Sequence, residues 1–249
     1  MGAHGATWLV ACAGLGAVWV LAAAWRAEAG TLLAALRGVL GGLAALGTAS
    51  LSYGLLQVAG LDIRWEWIQK GAWPALGFAA LVGLVEEAAK VTGIALAAPG
   101  RLREACARDV LRTTAAVVAV FAIAEALLTL RGASWPVALG RAALGPVAHG
   151  VLAAPAAVAL AEAAGVSRTR LALRLVIGVA LAALLHGLGD WSVARPGWGR
   201  AGFMAALLAP TLWLYARGRR RVVGATVIFD RSASGGTPYV STLAVRRFP

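Results

Sequence analysis

Seven ionisable side chains lie inside long apolar stretches of this chain. Glu86, Glu87 and Lys90 fall in Leu84-Val-Glu-Glu-Ala-Ala-Lys90, and Glu125 closes Phe121-Ala-Ile-Ala-Glu125. His149 ends Gly145-Pro-Val-Ala-His149, and His186 and Asp190 bracket His186-Gly-Leu-Gly-Asp190. On a helix Glu86 and Lys90 are i,i+4 and Glu87 and Lys90 are i,i+3, so Lys90 neutralises one carboxylate and leaves the other in excess. A charge at mid-bilayer costs roughly 2.5–3.5 kcal/mol even on a lenient scale, so residues kept there need a partner or a purpose. A carboxylate beside a cation can take a proton from water while a second acid or a histidine protonates a leaving amine. The same chain also offers a ligand set, Glu87, Glu125, His149 and His186, for a divalent ion such as Zn²⁺ with an open water position. Either arrangement amounts to hydrolysis of a carbonyl compound, and an amide inside a membrane means a peptide bond. The spacing equally admits a proton relay.

The elements that position these groups follow from composition. Hydrophobic residues make up 60% of 249 and charged residues 14%, with a mean hydropathy of +0.78. Soluble domains carry roughly 25% charged residues, so a water-soluble fold is excluded and an all-α, polytopic membrane bundle is expected. A span needs about 20 apolar residues. Seven stretches qualify, at 7–25, 31–59, 74–98, 110–130, 137–163, 171–190 and 201–216. The first has no Lys or Arg ahead of it and Arg26 behind it, which reads as a retained anchor with its N-terminus outside.

Charge orients the bundle. The net charge is +12 and 21 of the 23 basic residues are Arg. They cluster between apolar runs, as topology signals do, rather than forming the continuous face that nucleic acid needs. One set of connections and helix ends holds 13 of them: Arg26, Arg37, Arg101, Arg103, Arg108, Arg112, Arg168, Arg170, Arg174, Arg217, Arg219, Arg220 and Arg221. The alternate set holds six, namely Arg64, Lys70, Arg131, Arg141, Arg195 and Arg200. The positive-inside rule then places the N-terminus outside and the C-terminus in the cytoplasm. Seven of ten Trp (Trp8, Trp65, Trp67, Trp73, Trp135, Trp191, Trp198) fall at the outer level, as an interfacial belt would. Arg141 reads as an anchor at that interface. Residues 62–73 read as an outer loop or a short interfacial helix. Residues 1–217 form the transmembrane unit, and 218–249 a flexible cytoplasmic tail. Cys12 and Cys106 have no disulfide or metal spacing and read as packing residues.

Depth links the two lines of reasoning. At the helical rise, Glu86 and His149 lie about 18 Å, Glu125 about 8 Å and His186 about 6 Å from the outer ends of their spans. A single polar cavity opening outward is expected, since ionised groups at membrane depth need protein or water around them.

Taken in order, Glu86-Glu87-x-x-Lys90, Phe121-x-x-x-Glu125, Arg141 through Pro146 to His149, and His186-x-x-x-Asp190 resemble the motifs of the PrsW family of intramembrane proteases. That family is related to the CAAX-processing and bacteriocin-processing superfamily. The resemblance covers residues 74–192, with one motif per consecutive span. It implies that Glu86 or Glu87 is the base activating water, with Lys90 setting its ionisation. Glu125, His149 and His186 would orient water or metal or stabilise the oxyanion, and Asp190 would steer the tautomer of His186. The implied substrate is a membrane-anchored protein, of the anti-sigma-factor kind, cut near the extracytoplasmic side of a bacterial cell membrane. Ala126 stands where the family often has Asn, and Asp190 where Asn also occurs. Beside this peptidase reading stand a proton- or cation-coupled transporter or channel and a non-catalytic membrane scaffold. No internal repeat supports the transporter. A retinal protein is excluded because the only lysines are Lys70 and Lys90, neither in the last span.

Overall fold

The computed structural model describes residues 31–63, 73–98, 107–129, 134–162, 166–193 and 201–213, with residues 68, 197, 199 and 216. Among these, 92% are helical and no strand occurs. Hydrocarbon offers no partner to a free N–H or C=O, and a helix satisfies both within one segment. The order is α1 (Thr31–Val58), α2 (Trp73–Ala97), α3 (Ala107–Thr129), α4 (Trp135–Leu152), α5 (Ala154–Ala161) and α6 (Arg168–Val193), followed by α7 (Ala201–Trp213). The span expected at 7–25 and the tail at 218–249 lie outside the described residues.

Among the described residues, three helical segments are long and apolar enough to cross a membrane: Ala35–Val58, Asp109–Thr129 and Arg168–Val193. A bent pair, Leu139–Leu152 with Ala154–Ala161, makes a fourth if counted as one span. α2 has 25 residues, about 37 Å at the helical rise. Its apolar character is interrupted in the middle by Glu86, Glu87 and Lys90. The chain is therefore a membrane protein by the length and polarity of its helices.

Packing is inverted relative to a soluble protein. On α1 the large side chains Leu36, Leu40, Leu43, Leu51 and Leu55 face outward while Ala35, Ala45 and Ala49 are buried. On α6 the buried residues are Gly178, Ala182, Ala183, His186, Gly187, Gly189 and Ser192, and Leu173, Val176, Ile177, Leu181 and Leu184 are exposed. A soluble amphipathic helix does the opposite. Lipid tails solvate Leu as well as a core does, so association relies on close backbone approach at small residues. α2 sits at the centre, packed against α1, α3 and α6. On its α1 side, a Cβ placed at Gly93 would collide with the carbonyl oxygen of Gly41. On its α6 side, a Cβ at Gly187 would come within 2.7 Å of the Ala79 carbonyl oxygen and of Ala80 backbone atoms.

The span expected at 137–163 is not one helix. It bends by 55° between α4 and α5, at Ala153. Pro155 is responsible: it has no N–H to give back to the previous turn, and its ring clashes with the carbonyl four residues earlier. Proline is well placed in the first turn of a new helix, and α5 begins there. Every α5 residue except Val158 is buried. The stretch 62–73, expected at the surface, is anchored through Ile63 and Ile68. Ile68 is buried with Ala79 and Val82, and Tyr53, Ile63, Phe78 and Trp191 pack against that cluster. Trp191 thus makes core contacts as well as sitting near a helix end.

Gly187→Leu is expected to force α2 and α6 apart and to lower stability by about 1–3 kcal/mol or more, the usual range for overpacking. Gly77→Ala, where nothing lies within 4 Å of the added carbon, should not lower it. Thermal unfolding of the detergent-solubilised variants measures both.

Candidate functional site

All seven side chains singled out in the sequence converge. α2 supplies Glu86, Glu87 and Lys90, α3 supplies Glu125, α4 supplies His149, and α6 supplies His186 and Asp190. Lys90 is the hub. Its Nζ donates to Glu87 Oε1 at 2.7 Å and contacts His149 Nδ1 at 2.9 Å. It also lies 3.7 Å from Glu86 Oε2 and 4.8 Å over the centre of the Phe121 ring. Lys90 and Glu87 are fully buried, each with 0% side-chain exposure.

Two arms run from this hub. An ammonium only donates, so His149 Nδ1 accepts, and the neutral ring carries its hydrogen on Nε2. That atom faces Glu125 Oε2 at 3.1 Å, and Arg141 donates to Glu125 Oε1 at 3.3 Å. On the other arm, Glu87 Oε1 also meets His186 Nδ1 at 2.7 Å. The far nitrogen of that ring, Nε2, lies 3.6 Å from Glu86 Oε2 and 3.6 Å from Asp190 Oδ2. The two imidazoles stand edge to face, 5.2 Å apart, and Phe121 packs at an angle to His149 at 5.9 Å.

The adjacent acids are not equivalent. Glu87 spends one oxygen on both Lys90 and His186 and is sealed from solvent. Glu86 accepts from the Tyr53 hydroxyl on Oε1 at 3.3 Å; its buried Oε2, like those of Glu87 and Glu125, has no hydrogen-bond partner, but it lies 3.7 Å from Lys90 Nζ and 3.6 Å from His186 Nε2. Of the pair, Glu86 presents a second oxygen to both Lys90 and a histidine.

Three expectations change. Arg141, read as an interfacial anchor, is an ion-pair partner of Glu125, although its side chain is 42% exposed. The short contact orienting His186 comes from Glu87, with Asp190 farther off on the opposite nitrogen. Counting rise from helix ends separates Glu125 from His149 by about 10 Å in depth, yet they touch. The helix ends are therefore not level. Tyr53 is the site residue that the sequence reading missed. Its one signal there is being the sole aromatic residue between Thr31 and Val58, amid Gly, Ala and Leu.

A metal is a poorer fit than the residue types imply. Glu86, His149 and His186 can each bring one donor atom within 4.8 Å of the others, so Glu86 replaces Glu87 and Glu125 in the set expected from sequence. Both nitrogens of His149 already face charged groups, however: Lys90 Nζ at 2.9 Å on one and Glu125 Oε2 at 3.1 Å on the other. An ion amid these donors would also sit beside the Lys90 ammonium. A divalent cation roughly 4 Å from a unit positive charge is opposed by about 8 kcal/mol at an effective dielectric of 20. The ammonium already fills the cationic place, and the residues as arranged do not fit a divalent metal.

Comparison with known protein families, with curated proteins and with solved structures finds no match to this chain.

Lys90→Met strands the buried Glu87 carboxylate and is expected to cost about 3–5 kcal/mol, the usual penalty for breaking a buried pair. Adding Glu87→Gln should restore much of that loss, because a neutral amide needs no counter-charge. Unfolding temperatures of the single and double variants, taken together, test the pairing.

Proposed function

We propose that the protein is an intramembrane peptidase of the PrsW type, cleaving a membrane-anchored protein with water activated by Glu86. The observation that carries this reading is the placement of the buried Glu86 Oε2, which has no hydrogen-bond partner, 3.6 Å from His186 and 3.7 Å from Lys90 in a cluster shared by four apolar helices. A general base needs an oxygen that is free to accept and a setting that keeps bulk water out. In the proposed reaction Glu86 Oε2 takes a proton from water as the water oxygen attacks the carbonyl carbon of the scissile amide. His186, on the same side, stabilises the oxyanion by hydrogen bonding, and the buried Lys90 adds its positive charge. The amide nitrogen then receives the proton from Glu86, the C–N bond breaks, and a carboxylic acid and an amine leave. Glu87 holds Lys90 and the His186 ring, and Glu125 with Arg141 holds His149.

The membrane setting completes the reading. Seven spans, an outer N-terminus, a cytoplasmic C-terminus and a cavity open to the outside agree with the distribution of Arg and Trp. A bacterial cell membrane is the proposed location, and a single-span protein cut near its outer side is the proposed substrate.

A second reading has one observation in its favour. Polar contacts of 3.3 Å or less run from the half-exposed Arg141 through Glu125, His149, Lys90 and Glu87 to His186, with Asp190 3.6 Å beyond, as a proton relay would. Proteoliposomes distinguish the two, since a relay gives Glu87- and Glu125-dependent proton flux without hydrolysis.

With a single-span reporter in liposomes, wild type should cleave and Glu86→Gln should lose about 10² or more of the rate, as for removal of a general base. His149→Ala and His186→Ala should also be strongly impaired, and Glu162→Gln should cleave normally. Chelators should leave the rate unchanged. Cleavage at wild-type rate by all three site variants would end the peptidase reading.

A further inference from the structure

Glu86 has a hydrogen-bonding partner outside the four motif-bearing helices. Tyr53 of α1 places its hydroxyl 3.3 Å from Glu86 Oε1, while Lys90 and His186 both approach Oε2. The Tyr53 ring is held from two sides. It packs against the core cluster that includes Ala49, Ala89 and Phe121, and against the cluster of Ile68, Ala79 and Val82. The phenol is thus presented by a wedged ring and not by a free side chain.

A glutamate carboxylate rotates about its last bond in a broad, roughly two-fold well. Left alone, its two oxygens would exchange places and share every role. We infer that Tyr53 is a positioning residue that pins Oε1 of Glu86 and thereby reserves Oε2, the oxygen facing Lys90 and His186, as the one that accepts the proton from water. This rests on the peptidase reading above. A phenol hydroxyl donates one hydrogen bond, and Oε1 takes it whether Oε2 is bare or protonated. The contact can therefore persist through the proton transfer and keep the base aligned. It also makes α1, which carries none of the sequence motifs, part of the working site.

Tyr53→Phe keeps the ring and removes the donor. With the reporter in liposomes, kcat should fall about tenfold, the scale of one lost hydrogen bond to a charged group, with KM unchanged and the thermal midpoint near wild type. In a Glu86→Gln background the same change should have no further effect on residual cleavage, because the oxygen it positions no longer acts as a base. A second readout does not need catalysis. Dicyclohexylcarbodiimide, an apolar carboxyl reagent, should modify Glu86 faster in Tyr53→Phe than in wild type, as mapped by mass spectrometry, since Oε1 is then released from its hydrogen bond and the carboxyl can turn. Wild-type kcat in Tyr53→Phe alongside a dead Glu86→Gln overturns the inference and leaves the peptidase reading standing. An unchanged labelling rate overturns it whether or not any reporter is cleaved. Absence of cleavage by wild type strikes the peptidase reading, and the labelling rate alone then decides whether Tyr53 holds Glu86.

Discussion

One dehydrated ammonium organises the interior of this protein. Lys90 has no exposure, and every direction in which it can donate meets an acceptor or a π face: Glu87, His149, Glu86 and Phe121. A lysine taken out of water without such a set would carry a cost of several kcal/mol, so the surrounding helices have little freedom to pack otherwise. Because Lys90 only donates, it also decides the hydrogen positions of its neighbours. His149 must accept on Nδ1, which leaves its remaining hydrogen on Nε2, 3.1 Å from Glu125 Oε2. Glu87, shared between Lys90 and His186, settles the orientation of the second ring. One cation thus sets the geometry of two imidazoles on two other helices.

The helices can meet around that cation because their contacting faces are small. Gly93 against Gly41 and Gly187 against Ala79 and Ala80 bring α1 and α6 onto α2 at backbone distance. Only then can side chains as short as Glu reach partners on other helices. Bulky aliphatic groups are turned outward, where lipid accepts them without penalty. The break at Pro155 places α5 against α3 and α6. His149 stands just before that break, one turn after Pro146.

Much of this was legible in the order of residues. Helical class and membrane residence follow from apolar stretches too long and too poorly charged for a soluble surface. The second to sixth expected spans coincide with helices to within a few residues, apart from the interruption at Ala153. The same-helix relations also hold. Glu86 and Glu87 flank Lys90 as their spacing requires, and Asp190 faces His186 from one turn away. Those are consequences of a 3.6-residue repeat and need no knowledge of neighbouring helices. Residue type alone pointed to metal ligands as readily as to a metal-free acid, because a list of types does not say which nitrogen is already taken.

What the sequence determined by itself was therefore local and periodic: which segments are helices, which of their residues share a face, and that acids and imidazoles lie within apolar spans. Tertiary structure decided everything that depends on the relative height and rotation of helices. It separated Glu86 from Glu87, although they are adjacent in the chain, by turning one toward Tyr53 and closing the other between Lys90 and His186. It drew Arg141 to Glu125 and brought Glu125 to His149 across a depth difference that counting from helix ends would forbid. It also recruited Tyr53 from a helix with no motif. Such relations arise from tilt and from close approach at small residues, and neither leaves a period in the sequence.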